Sequence, residues 1–381
     1  MIACAKFFIL TSFLYCQYSL KITNFITERQ KLFHNNKNDD NKKKKQTANI
    51  IRHQIRKRKK SYYNRFKNRD SKIWWKTVNE INGKTTKKEE NKLTAEEINI
   101  GFHQVWKEEK ESDISSFIKP PKQQINQKTI KITPDMVIKE LKKLDVTKAP
   151  GPDNINSKIL KDARFELSDI LAHLFNISIQ HSFIPAQWKI ANVIPIPKVK
   201  NPTTPNEYRP IALTSAICKV FERIIVREIL NHTKQLWKTN KQYGFLPGRN
   251  TMDALVQVIE DWEKARDEKK TTHAVFFDFA KAFDLVDHKI LLTKIDKMLP
   301  SWLTSWIAQY LSGRKQRVKC NNKHSEWLNV IAGVTQGSVL GPALFLLFIS
   351  DMNEYLPTTA ELIKYADTQQ NNQSFTFHQH G

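Results

Sequence analysis

The plainest helix start in the chain is Thr133-Pro134-Asp135: a capping residue, a proline for the first turn and an acid facing the positive helix end. Val137, Ile138, Leu141 and Leu144 follow at a spacing near 3.6 and predict one apolar stripe. The stripe stops at Lys148-Ala149-Pro150-Gly151-Pro152-Asp153, which reads as a rigid turn. A second apolar helix is predicted from about Ser157 to His181. A-N-V-I-P-I-P-K (191–198) then reads as a short strand and the Pro/Asn-rich stretch 201–207 as a loop. Another long helix is predicted from Ser215 to His232, with Ile217, Val220, Phe221, Ile224 and Ile225 inward. Further on, Val275, Phe276, Phe277 and Phe279 read as a buried strand, and P-A-L-F-L-L-F-I (342–349) as a core helix too short to span a bilayer. Strands alternate with helices, so the chain reads as α+β or α/β, without an internal repeat.

Asp278 breaks the apolar strand. An ionised carboxylate among buried apolar side chains costs several kcal/mol unless it is compensated. A metal ion, a buried Lys or Arg, or exposure at the strand end could each do so.

Charge narrows the choice of partners. Over 381 residues, 62 Lys and Arg stand against 38 Asp and Glu, and the net charge of +24 favours a polyanion, nucleic acid before a membrane surface. Thirteen of the basic residues fall between positions 41 and 70, where Asp70 is the lone acid. Such a run repels itself and stays extended until a polyanion arrives, which makes Lys57, Arg58, Lys59 and Lys60 candidate phosphate contacts. Tyr62, Tyr63, Phe66, Trp74 and Trp75 beside it could stack bases or form core. Cys4, Cys16, Cys218 and Cys320 show neither metal-ligand nor disulfide spacing, which favours a reducing compartment. The early run A-K-F-F-I-L-T-S-F-L-Y-C lacks a basic leader and a small-residue cleavage site. Export and membrane association are not expected, and a misplaced start codon is an alternative source of that run. Cytoplasm and nucleus are the expected locations.

Six stretches bear on chemistry when taken in order: K-A-P-G-P-D-N-I (148–155), I-P-I-P-K…Y-R-P-I-A-L (194–213), Q-Y-G-F-L-P-G-R (242–249), F-F-D-F-A-K-A-F-D (276–284), G-V-T-Q-G-S-V-L-G-P-A-L-F (333–345) and K-Y-A-D (364–367). Together they resemble the reverse transcriptase of non-LTR (LINE-type, jockey-like) retrotransposons, over roughly residues 130–368. The resemblance implies an α+β fold of right-hand polymerase fingers and palm, with an antiparallel palm sheet backed by helices. It implies an RNA template, a DNA primer and deoxynucleoside triphosphates as partners. Two Mg²⁺ ions, replaceable by Mn²⁺, would be held by Asp278, Asp367 and the backbone carbonyl of Phe279. Lys198 and Arg209 match residues that contact the triphosphate, and Phe283 matches the aromatic that excludes a ribose 2′-hydroxyl. Gln336 and Gly337 would meet the nucleotide and template base, and Lys148 and Gly151 lie in a loop near the template.

The expected organisation is a basic, disordered leader over 1–60, a helical linker over 61–130, an amino-terminal extension and fingers over 131–272, a palm over 273–368 and a disordered tail over 369–381. The strands carrying Asp278 and Asp367 are expected side by side. Two departures stand out. The family pattern Tyr-Ala-Asp-Asp is here Tyr365-Ala366-Asp367-Thr368, and the tail leaves no residues for a thumb. A truncated copy with negligible polymerase activity is therefore expected. The alternative is a non-catalytic RNA- or DNA-binding protein on a polymerase-like scaffold. A basic chromatin protein would explain the charge but none of the motifs.

Overall fold

In the computed structural model the described residues are 53, 92–106, 111–119, 129–355, 357, 360–366 and 373–380, with backbone alone for 276–278, 360, 366 and 373–380. The basic run at 57–60, its neighbouring aromatics and Asp367 lie outside them. Almost all described residues belong to one compact unit, Asn91–Gly381.

Helix α1 is Ala95–His103, and α2 is Pro134–Lys142, begun by Thr133, whose hydroxyl accepts the Met136 N–H at 3.4 Å. Val137, Leu141 and Leu144 of the predicted stripe are buried. The single helix expected from Ser157 to His181 is two, α3 (Ser157–Asp162) and α4 (Arg164–His181), which meet at Ala163. Strands β1 (Ile190–Pro197) and β2 (Tyr208–Leu213) pair antiparallel, with Ile196 opposite Arg209. Helix α5 is Ala216–His232, capped by the Ser215 hydroxyl, and buries Val220, Phe221, Ile224 and Ile225 as its stripe predicts. The short α6 (Leu236–Thr239) and the longer α7 (Thr251–Asp267) lead into β3 (Thr272–Asp278).

Helices α8 (His288–Asp296) and α9 (Ser301–Leu311) come next, then β4 (Arg314–Cys320), β5 (Lys323–His324), β6 (Leu328–Val330) and α10 (Leu340–Phe348). The last strands are β7 (Ala360–Ala366) and β8 (Gln373–His380). One sheet runs β2-β1-β4-β5 with β6 also on β4, and β1 and β4 are parallel. Sheet pairing thus crosses the expected division at 272/273. The main core stacks Phe175 on Phe221, ring centres 4.4 Å apart, with Trp306 edge-on to Phe221 at 5.0 Å. Helix α10 is buried there, and among the described residues no helix is long and apolar enough to cross a membrane.

A smaller core lies on the first sheet, where Ala95, Ile98 and Phe102 of α1 cover Ala191, Val193, Tyr208, Ala212 and Val318. Residues 95–106 are therefore part of the packed unit, contrary to the linker expected over 61–130. Apolar area removed from water gives the segment a fixed place.

The second sheet runs β3-β8-β7, all antiparallel. Two expectations are corrected by it. The strand leading to Asp367 does not adjoin the strand ending at Asp278, because β8 lies between them. Residues 373–380 of the expected disordered tail form that middle strand, whose backbone hydrogen bonds on both sides repay its ordering. Ala254 and Val258 of α7 pack on Ile363 of β7. β3 is not the buried strand that its apolar run predicts: Val275 is 46% exposed and Phe279, just past the strand end, is 40% exposed. An edge strand has a partner on one side only, and here part of its surface meets water.

Candidate nucleotide and metal site

Three of the sequence motifs meet at one pocket. Its lining includes Lys198 after β1, Tyr208 and Pro210 of β2, Phe279, Lys281, Phe283 and Asp284 after β3, and Gln336. The expected residues Lys198, Phe279, Phe283 and Gln336 are brought together there; Arg209 is not in the lining but is close enough to act electrostatically on Lys198. Burial lowers the Lys198 pKa, Arg209 and Lys281 add to the effect, and Asp284 opposes it. Its ammonium donates to the Asn206 carbonyl at 3.0 Å. Burial raises the Asp284 carboxyl to about 6, with Lys281 and Lys198 holding it back. The pocket thus gathers two or three cations around one reluctantly ionised acid, an arrangement suited to a polyanionic ligand. Among the described residues the buried Tyr208 hydroxyl and Gln336 Oε1 of the lining have no hydrogen-bond partner, nor has Arg209 Nε beside it. Unpaired buried polar atoms cost free energy that a ligand can recover.

The pocket walls are interlocked. The Phe283 ring stacks on Phe345 at 4.9 Å and meets Phe245 edge-on at 5.9 Å, which joins the Q-Y-G-F-L-P-G-R motif to the Asp278 motif. Val334 N–H donates to the Phe283 carbonyl and Gly333 N–H to the Val286 carbonyl, both at 2.8 Å. Buried His288, kept toward its neutral form by burial, has Nε2 2.8 Å from the Gly333 carbonyl oxygen, so the ring N–H donates there. On the other side the Ala212 N–H donates to the Gln336 carbonyl at 2.8 Å. Gly337 has φ +110°, and a Cβ there would lie 2.5 Å from the Ala212 carbonyl, so only glycine permits this approach.

Glu222, fully buried on α5, anchors the end of the same loop. Its carboxylate accepts the Val339 and Leu340 N–H groups at 2.6 and 3.1 Å and the Tyr310 hydroxyl at 2.9 Å. It thereby caps α10, where a negative charge suits the helix dipole. Sequence reasoning missed Glu222, His288, Lys281 and Asp284. The last two flank Phe283 inside a quoted motif and could have been found there; Glu222 offered only its place on an apolar stripe.

The residues expected to hold metal stand differently. Asp278 ends β3 opposite Ser374 of β8, and Ser374 is in turn opposite Tyr365 of β7. The end of β3 and the end of β7, one residue before Asp367, therefore lie at the same edge of the sheet. Two strand spacings, about 9–10 Å, separate the Asp278 and Tyr365 backbones. Among the described residues no three His, Cys, Asp or Glu gather as a metal site. The Q-Y-G motif holds β7 from its outer side, since Lys364 N–H donates to the Lys241 carbonyl and Tyr243 N–H to the Lys364 carbonyl, both at 2.8 Å. Arg249 of that motif donates to the carbonyls of Trp237, Asn240 and Gln242 and so serves its own loop. Gly151 packs on the Thr214–Ser215 backbone before α5; Lys148 has an electrostatic neighbour in Lys219 and does not line the pocket.

Residues 196–368 match the family model of reverse transcriptase (RNA-dependent DNA polymerase). The chain carries a reverse transcriptase domain. It is similar to the probable RNA-directed DNA polymerase from transposon BS of Drosophila melanogaster, 34% identical over 239 residues that make up 61% of this chain and 26% of the relative. The probable RNA-directed DNA polymerase from transposon X-element of the same species is 37% identical over 207 residues, 54% of this chain and 23% of the relative. The RNA-directed DNA polymerase from mobile element jockey is 33% identical over 232 residues, 60% of this chain and 25% of the relative. The chain spans about a quarter of the length of these relatives. The resemblance to non-LTR retrotransposon polymerases, drawn from six motifs, is borne out. The reverse transcriptase domain contains the whole β3-to-Asp367 stretch and begins within β1.

Proposed function

We propose that this reverse transcriptase domain binds a deoxynucleoside triphosphate, primer and RNA template as a non-LTR retrotransposon polymerase does, with nucleotidyl transfer suppressed by Thr368. The observation that carries the reading is the meeting of Lys198, Phe283 and Gln336, from three separated motifs, at one pocket with Lys281. On this reading the three-stranded sheet is the palm sheet, and residues before 273 supply the extension and fingers. Lys198 and Lys281, with Arg209 beside them, neutralise the triphosphate. The Phe283 ring, fixed between Phe245 and Phe345, leaves no room for a 2′-hydroxyl. The unpartnered Gln336 oxygen accepts a hydrogen bond from the nucleotide. Lys148, the Gly151 turn and the basic residues 57–60 hold phosphates of the template and primer, inside the cytoplasm and nucleus.

Asp278, Asp367 and the Phe279 carbonyl supply hard oxygen donors and would hold Mg²⁺, or Mn²⁺ in its place. When bound, such ions supply activation of the primer 3′-hydroxyl and stabilisation of the leaving pyrophosphate. Thr368 brings a neutral hydroxyl where the family pattern brings a third carboxylate, which weakens the hold on the second ion. A non-catalytic nucleic-acid-binding role is the second reading, and Thr368 is what favours it.

The test is extension of a DNA primer on an RNA template with Mg²⁺ or Mn²⁺. The chain as it stands is expected to extend negligibly, Thr368→Asp to gain extension, and Thr368→Asp with Asp278→Ala to lose that gain. Robust extension by the unaltered chain would overturn the role given to Thr368, and extension surviving Asp278→Ala would overturn the metal site.

A further inference from the structure

The nucleotide pocket has a wall that the family match does not include. Phe102, Val105 and Trp106 line it, and all three precede residue 196, where the matched domain begins. We propose that α1 and the turn Gln104–Trp106 complete the nucleotide site, with Trp106 as the residue that positions Phe283 and Asp284 for deoxynucleotide selection. The inference rests on reading the pocket as a nucleotide site.

Helix α1 is held from three directions. Its start is a capping box, in which Thr94 N–H donates to Glu97 at 2.8 Å and Glu97 N–H to the Thr94 hydroxyl at 3.2 Å. On the sheet side, Asn99 donates to the Glu326 carbonyl at 2.9 Å and the Glu326 N–H donates to Glu96 at 3.0 Å. Toward the pocket, Gly101 faces Pro205 so closely that a Cβ would lie 2.2 Å from the proline ring. These contacts fix where the following turn emerges.

From that turn the Trp106 indole N–H donates to the Asp284 carbonyl at 2.7 Å. Trp106 is 6% exposed, and its ring meets His103 edge-on at 5.6 Å. It also lines an adjoining pocket with Arg314, Lys315 and Gln316. A buried indole N–H needs an acceptor, and here that acceptor belongs to a residue of the pocket lining. The carbonyl is next to Phe283, whose ring selects the sugar in the reading above. Trp106, Val334 and Gly333 together hold the short stretch 283–286 by its backbone. Without the indole N–H, that stretch loses the anchor on the α1 side.

The test is the binding of dATP and ATP, each with Mg²⁺, to the full chain and to Trp106→Phe, Trp106→Ala and Lys198→Ala, with thermal melting as the check on folding. Trp106→Phe keeps the ring and removes the donor. It is expected to weaken dATP binding about three- to tenfold, the worth of one hydrogen bond, and to lower the preference for dATP over ATP. Trp106→Ala should do more, and if it does not fold, Trp106→Phe decides alone. A chain that binds no dATP overturns the nucleotide reading and this inference with it. Binding weakened by Lys198→Ala but unchanged, or tightened, by Trp106→Phe overturns this inference alone.

Discussion

The five-stranded sheet buries Ala191, Val193, Tyr208, Ala212 and Val318 beneath α1, while the three-stranded sheet leaves Val275 46% exposed and buries the ammonium of Lys364. Burial lowers that lysine to about 8, with Asp351 opposing, and its ammonium donates a hydrogen bond to Asn353 Oδ1 at 2.7 Å. The pocket beside the first sheet is closed by segments that each hold another: Trp106 on Asp284, Val334 on Phe283, Gln336 on Ala212. In the sheet that carries Asp278, β3 pairs with β8 alone among the described residues, while β7 pairs with β8 and is held on its outer side by Lys241 and Tyr243. On the proposed reading, nucleotide binding falls in the interlocked part of the unit. Asp278, the expected metal ligand, ends a strand of the part with fewer supports. Binding and chemistry can be lost separately in such a molecule.

The largest effect on the interlocked side should come from Glu222→Ala. It strands the Val339 and Leu340 N–H groups and the Tyr310 hydroxyl in the core, at a cost of about 3–5 kcal/mol. Denaturant unfolding measures it, and a loss below about 1 kcal/mol would mean that the cap is dispensable. On the other side, Ser374→Pro removes one backbone N–H from β8 and should destabilise the three-stranded sheet locally, by less than the loss at Glu222. Hydrogen exchange would then rise in 272–278 and 360–366 while α5 and α9 stay protected. Uniform loss of protection would show that the two sheets do not differ in this way.

A smaller effect is expected at Asp284, and it depends on pH. Its carboxyl ionises near 3.8 in the unfolded chain and at about 6 in the fold, so the fold is penalised for ionising it. The penalty is absent below pH 4, grows as pH rises from 4 to 6 and is constant above. Asp284→Asn should therefore stabilise the chain by about 1–2 kcal/mol at pH 7.5 and by nothing at pH 4. A gain equal at both values would place the cause elsewhere. His288 works in the opposite sense, because burial lowers its pKa; stability is lost as pH falls through and below the ordinary histidine value of 6.5.

Much of this was legible where the signal is local. Thr133-Pro134 begins α2, Ser215 caps α5, and the stripes of both helices face the core as their spacing requires. The break at Ala163 left no mark, since Asp162-Ala163-Arg164 contains neither glycine nor proline. The middle strand was hidden by its polar composition, although Phe375 and Phe377 alternate with polar residues at the period of a strand. Of the candidate site, Lys198, Phe283 and Gln336 could be named from their motifs. Glu222 could not, because Tyr310, Val339 and Leu340, which it anchors, are 88 to 118 residues away and no local pattern announces them. Trp106 lay in a stretch that the resemblance presented only as a linker before the polymerase domain.

The most direct measurement is made on one preparation of the unaltered chain: dATP binding with Mg²⁺, beside primer extension on an RNA template under the same conditions. The account predicts saturable binding that Lys198→Ala weakens, together with negligible extension that Thr368→Asp increases. Extension as strong as binding, or no binding at all, would contradict the separation of the two sites.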